Sequence, residues 1–223
     1  KDLGSALILF MVYVFLMTIS AHQPLYLAGG LVAGAGASLL AYRMFSHVQV
    51  RVQAWRDPWS VIDKQGYQIA QALFAMSRGG LFGLAIGKGT PQDIPYVETD
   101  FIFSAVIEEL GLLFGIGILL TAAVLFVLMI RLAGGLADGF YRNLVVGFAI
   151  LYLFQTFLTV GGGSKFIPLT GVTLPLVSYG GSSVMTTILM FGVIEGVFVL
   201  RYDEELRIEK QRRKKKRQTE ETE

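Results

Sequence analysis

Residues 112–130, LLFGIGILLTAAVLFVLMI, run nineteen positions without a charged side chain. At about 1.5 Å per residue, a helix of that length crosses a hydrocarbon core about 30 Å thick. Four other stretches read the same way: 3–20, 25–42, 143–160 and 184–200, the last with Glu195 inside it. The third span is taken back to residue 101, giving 101–130. Buried helices of a soluble domain are usually shorter and carry a polar face, which these stretches lack. A composition of 53% hydrophobic residues with 26 glycines agrees with the membrane reading. The expected fold is therefore an all-α polytopic membrane protein of about five transmembrane helices.

Orientation follows from lysine and arginine near the span ends. The segment KQRRKKKR, residues 210–217, holds seven basic side chains. With the short loop 131–142 it belongs on the cytoplasmic side. Five spans then place the segment 43–100 outside, where six basic and five acidic residues balance. The tail 201–223 is read as a cytoplasmic basic tail beside anionic membrane lipid rather than a nucleic-acid arm. Lys1 in place of methionine, directly before a span, is expected of a fragment of a longer protein. There is no cysteine, and His22 and His47 are too far apart in sequence for a metal motif.

The outer segment is far longer than a helix connection requires. Its aromatic residues, Trp55, Trp59, Tyr67, Phe74, Phe82 and Tyr96, suit the interface of head groups and water. Asp57-Pro58 predicts a turn, and Trp59–Met76 predicts an amphipathic helix lying on the membrane. Gly87-Lys88-Gly89 lacks the strand and the GK[ST] ending of a phosphate loop. Lys88, Arg78 and Lys64 remain candidates for a lipid phosphate. Residues 161–183, GGGSKFIPLTGVTLPLVSYGGSS, interrupt an apolar stretch with glycine and proline. Irregular backbone at membrane depth must be covered by protein or line a wet cavity, so this segment predicts a re-entrant wall. Its one charge, Lys165, either holds an anionic head group or snorkels to the surface.

Asp100 stands where the outer segment meets the third span, with Thr99 as a candidate N-cap. A structural acid at a helix start is one reading and a functional acid facing the glycine-rich loop and the wall is the other. Glu108 lies eight residues on, about 12 Å deeper, out of hydrogen-bond range of Asp100. Glu108 and Glu109 are expected to pair with polar groups across helices, as is Glu195.

TDFIF at 99–103, EELG at 108–111, GYQIAQ at 66–71, DLGS at 2–5 and PLTGVTLPLVSYGGSS at 168–183 together resemble the SEDS family, the RodA and FtsW type of peptidoglycan polymerase. The match runs in the family's order over nearly the whole chain to Leu200, and the long motif ending in SYGGSS is its most specific part. Family members have about ten transmembrane helices, so residues 1–200 resemble their C-terminal half. The resemblance implies a glycosyltransferase that joins lipid II disaccharides into glycan strands at the outer face of the bacterial cell membrane, releasing undecaprenyl pyrophosphate. It puts the essential aspartate at Asp100, as general base on the acceptor hydroxyl. Lys165, Lys88, Glu98, Thr99, Ser178, Gly180, Gly181 and Ser182 are the expected substrate contacts. It also implies a class B penicillin-binding protein and other elongation or division proteins as partners. A divalent cation, magnesium or manganese, would suit the pyrophosphate leaving group. A precursor flippase and a non-catalytic scaffold for a transpeptidase are the alternatives. The chain departs from the common pattern where Pro95 is followed by Tyr96, with the acid at Glu98 instead, and where Lys165 replaces an apolar residue.

Overall fold

A computed structural model describes residues 3–220, so Asp2 of the DLGS stretch and residues 221–223 of the tail lie outside the described residues. The regular elements among the described residues are helices, in the order α1 (Leu3–Ala21), α2 (Leu25–Met44), α3 (Ser46–Arg56), α4 (Tyr67–Gly79), α5 (Ile102–Leu110), α6 (Leu112–Gly134), α7 (Gly139–Gly163) and α8 (Gly181–Glu220). Five of these, α1, α2, α6, α7 and the first part of α8 to Asp203, are long and apolar enough to cross a membrane. The chain is a multi-pass membrane protein built on five such helices.

Helix α7 is the centre of the bundle. It packs against α1 on one side and α6 on the other, with α8 also in contact. Val145, Ala149 and Tyr152 of α7 meet Ala122 and Met129 of α6 and Met190, Ile194 and Val197 of α8 in the main apolar core. More than half of the α7 span is buried (56%), whereas none of the α2 span is. Tight packing around one central helix is what lets side chains of α7 reach the irregular segment beyond its end.

Residues 43–101, called the outer segment after the orientation expected above, form a folded unit with a core of their own. Ala54 of α3, Ile69, Ala72 and Ala75 of α4, Ile94 and Phe101 close on one another. The expected helix over Trp59–Met76 is instead a short 3-10 turn at Trp59–Val61 followed, after further turns, by α4. Apolar residues on one face of α4 drive its burial against α5. Helix α3 was not foreseen.

The expected third span, 101–130, is corrected by the structure. Gly111 adopts φ +88°, which a residue bearing a Cβ rarely tolerates, and the chain breaks there between α5 and α6. The turn is locked from outside, because Leu112 N–H donates to Gly80 O (2.9 Å) and Leu113 N–H to Leu81 O (3.2 Å). Of α5 and α6 only α6 is a candidate span, and α5 packs against α4 as well as against α6. The wall is also shorter than 161–183. Gly161–Gly163 close α7 and Gly181–Ser183 open α8, which leaves residues 164–180 irregular. The last span likewise starts at Gly181 rather than 184.

Candidate functional site

Three segments meet beside Asp100: the end of the outer segment, the irregular segment 164–180, and α3. The irregular segment makes few backbone bonds of its own, and side chains from neighbouring elements supply others. Arg51 of α3 donates from Nη1 to Thr170 O (3.1 Å) and Leu169 O (3.4 Å). One turn on, Trp55 Nε1 donates to Lys165 O (3.1 Å). From α7, Thr159 Oγ1 donates to Val172 O (2.8 Å) and Gln155 Nε2 to Thr173 O (3.0 Å). Gln155 and Thr173 both also donate to Ser183 Oγ on α8.

Ser178 then ties this segment to the acid. Its Oγ donates to Thr99 O (2.6 Å) and accepts from Leu174 N–H (2.8 Å), and Tyr179 N–H donates to Glu98 O (2.7 Å). Those bonds fix the two residues directly before Asp100. On the other side Phe101 is fully buried in the outer core, so the backbone at Asp100 is held from both neighbours.

The carboxylate faces a cation across a glycine. Gly171 sits at φ +79°, and a Cβ built on it would lie 3.6 Å from Arg51 Nη2 and 3.8 Å from Asp100 Oδ2. The absence of a side chain there leaves the two charges converging on one small space without closing into an ion pair. Burial pushes the Asp100 carboxyl above its ordinary range, while Arg51 and then the Thr99 hydroxyl act in the opposite direction. The ring of groups is a half-buried carboxylate, the Arg51 guanidinium, and the backbone around Gly171. Thr170 Oγ1 and Ser104 Oγ are also buried without a hydrogen-bond partner in this part of the molecule.

The other expected site residues divide. Thr99 and Ser178 lie at the acid, but both act through structure: Thr99 Oγ1 donates to Tyr96 O (3.2 Å), and Ser178 is 3% exposed with its bonds made. Thr99 is not the N-cap of α5, which is Phe101 and has no side-chain cap. The Glu98 side chain is exposed, while its carbonyl is one of the two ties. Gly180 packs toward Thr173, and Gly181 and Ser182 are exposed at the start of α8. Lys165, at φ +61°, is half-buried at the entry to the irregular segment. Lys88 is not near Asp100: its loop is bonded to Glu108 and Glu109 at the far end of α5. Glu108 is fully buried, paired with Arg78 (2.9 Å), as an acid crossing between helices should be, whereas Glu195 is exposed on α8. Among the described residues no cluster of three His, Cys, Asp or Glu could hold a metal ion. One carboxylate beside a guanidinium is not by itself a divalent-cation site.

Residues 1–202 match the family model described as a cell cycle protein and named for FtsW, RodA and SpoVE. The chain belongs to this family. Among its FtsW/RodA/SpoVE relatives, the peptidoglycan glycosyltransferase RodA of Mycobacterium tuberculosis (strain ATCC 25618 / H37Rv) is 38% identical over 194 residues, 87% of this chain and 41% of that protein. The probable peptidoglycan glycosyltransferase FtsW of Geobacter sp. (strain M18) is 33% identical over 202 residues, 88% of this chain and 54% of that one. Stage V sporulation protein E of Bacillus subtilis (strain 168) is 38% identical over 149 residues, 66% of this chain and 41% of that one. A solved structure described as structural coordination of polymerization and crosslinking by a peptidoglycan synthase complex superposes with a TM-score of 0.72 at 29% identity, covering 91% of this chain and 57% of that one. The chain thus spans about half the length of the FtsW/RodA/SpoVE proteins it matches.

The Ser178 bridge can be tested by itself. Ser178→Ala strands the Leu174 amide and the Thr99 carbonyl, a loss of about 1–3 kcal/mol. It should lower the thermal unfolding midpoint in detergent, whereas Ser182→Ala at an exposed position should not. Equal midpoints for the two variants would remove the bridge from the account of how Asp100 is held.

Proposed function

We propose that this chain is the C-terminal half of a peptidoglycan glycosyltransferase that polymerises lipid II, with Asp100 as its general base. The observation that carries the reading is the Asp100 carboxylate, raised by burial, held on a backbone tied at both ends and facing Arg51 over Gly171. The names of the relatives, peptidoglycan glycosyltransferases RodA and FtsW, support the reaction class.

In the proposed step Asp100 accepts the proton of the acceptor sugar hydroxyl as that oxygen attacks the anomeric carbon of the lipid-linked donor. The bond from that carbon to the diphosphate breaks, and the electron pair leaves with undecaprenyl diphosphate. A carboxylate raised toward neutrality is a better proton acceptor for this task than an ordinary aspartate. The Arg51 guanidinium, fixed by the Leu169 and Thr170 carbonyls, supplies positive charge where the leaving group's negative charge grows. A divalent cation, if the diphosphate brings one, would add Lewis-acid stabilisation of that leaving group. A class B penicillin-binding protein is the proposed partner, supported by the peptidoglycan synthase complex among the structural relatives. Residues 43–100 and the irregular segment lie, in this proposal, at the outer face, with the basic tail in the cytoplasm.

Asp100→Asn keeps the shape and removes the proton acceptor. In the full-length protein it should cut glycan-strand formation from lipid II by about 10² to 10⁴ with unchanged expression, since a general base contributes about that much. Glu98→Gln should retain activity. Polymerisation by Asp100→Asn within a few-fold of the parent would end the catalytic assignment.

Burial acts most strongly on the Asp100 carboxyl, and Arg51 is the largest influence opposing it. The carboxylate form is the active one, so the rate should fall as pH drops through the Asp100 pKa. Arg51→Gln removes the largest influence that lowers that pKa, and should shift the acid limb of kcat/KM to higher pH; Arg51→Lys should leave it near the parent's. An acid limb unmoved by either change would show that another group controls it.

The orientation is checked with cysteines placed at residues 64 and 215; residues 1–223 have none of their own, and any elsewhere in the full-length protein is replaced. A membrane-impermeant thiol reagent applied to intact cells should label Lys64→Cys and spare Lys215→Cys. The reverse pattern would invert the proposed topology.

A further inference from the structure

The end of α4 and the start of the loop to α5 form a run of nine residues without charge, GGLFGLAIG at 79–87, bracketed by Arg78 and Lys88. Four bulky apolar side chains stand out from it: Leu81 (56% exposed), Phe82 (81%), Leu84 (39%) and Ile86 (77%). A solvated loop would have no reason to display them, since apolar surface left in water costs roughly 25 cal/mol per Å².

The loop is also held rigid. Leu84 and Ala85 amides donate to the Glu108 and Glu109 carbonyls (2.9 and 3.0 Å). The carboxylates of the same two residues accept from the Thr90 and Gly87 amides (3.2 and 3.0 Å). Arg78 completes the clamp on Glu108, so it is already committed. Two carboxylates and several backbone bonds are thus spent on fixing a stretch whose side chains touch little of the protein.

Its level relative to the membrane follows from the bonds to α6. Gly80 O and Leu81 O accept from Leu112 and Leu113, the first residues of that span. Helix α6 has 23 residues, about 35 Å, just enough to cross a hydrocarbon core of about 30 Å. Its first turn therefore sits at the edge of the acyl chains, and the loop sits beside it. Leu112, Leu113, Phe114 and Ile116 of α6 are themselves exposed, so the apolar surface of the loop continues that of the span.

We propose that residues 81–86 dip into the acyl-chain region of the bilayer beside the start of α6, with exposed Lys88 at the level of the lipid phosphates. The partner is the lipid surface itself: the apolar side chains match the chains, and the ammonium at the end of the loop matches anionic phosphate. That the leaflet is the outer one rests on the orientation proposed above; insertion does not.

The test uses the full-length protein, with any cysteine outside residues 1–223 replaced, in vesicles of phosphatidylethanolamine and phosphatidylglycerol. An NBD fluorophore is attached through Phe82→Cys, and in a second sample through Lys64→Cys, both exposed positions. NBD at residue 82 should emit to the blue of NBD at 64, be quenched by nitroxides on lipid acyl chains, and resist reduction by dithionite. NBD at 64 should be reduced and escape the nitroxides. Ready reduction at 82 without nitroxide quenching overturns the proposal. Protection from dithionite without nitroxide quenching overturns it too, in favour of a covering protein. If the cysteine labelling at 64 and 215 inverts while residue 82 still reports lipid, the orientation fails and the insertion stands.

Discussion

Backbone at 164–180 that can be neither helix nor strand is the constraint on which the rest of the structure depends. Its carbonyls lie at the end of a membrane bundle, where unpaired peptide groups cost several kcal/mol each. The fold answers with donors sent from two directions: Arg51 and Trp55 from the outer unit, Gln155 and Thr159 from the central span. Satisfying this segment therefore joins the outer unit to the bundle. The same bonds draw Arg51 and Asp100 toward Gly171.

The acid at that junction is set by opposing effects. Burial disfavours the carboxylate, and Arg51 favours it without touching it. A direct ion pair would have locked both groups and lowered the basicity of the carboxylate further. Keeping the cation near but unpaired leaves Asp100 able to take a proton and Arg51 able to meet a second anion. Gly171 is what keeps that space clear, and its left-handed backbone is a conformation few other residues would hold.

Spans were legible because length and apolarity report directly on the membrane; Asp100 stands out in the sequence by its motif, and the structure places it opposite Arg51. Helix α3 was not, for a physical reason: HVQVRVQ, residues 47–53, places valine at every second position, the period of a strand. Burial of Ala54 and the anchoring of Arg51 and Trp55 overrode that pattern. Read as helix, the i, i+4 spacing of Arg51 and Trp55 would have put both on one face and offered the missing cation. The break at Gly111 was hidden because the apolar residues on both sides of it read as one span; the left-handed Gly111 backbone and the bonds from Leu112 and Leu113 to the Gly80 and Leu81 carbonyls reveal it. Ser178 stands in the motif, and its hydroxyl braces the chain before Asp100 through the Thr99 carbonyl, a contact the sequence does not reveal.

The interruption at Gly111 has a mechanical meaning as well. A continuous rod from Asp100 to Gly134 would transmit every tilt and vertical shift of the span, such as a change in bilayer thickness imposes, straight to the carboxylate. Because the rod is cut, and α5 is clamped instead to α4 and its loop, the acid takes its reference frame from the outer unit. Helix α6 joins that clamp at its first two amides, so the span is coupled to the acid through a fixed turn rather than along one straight rod.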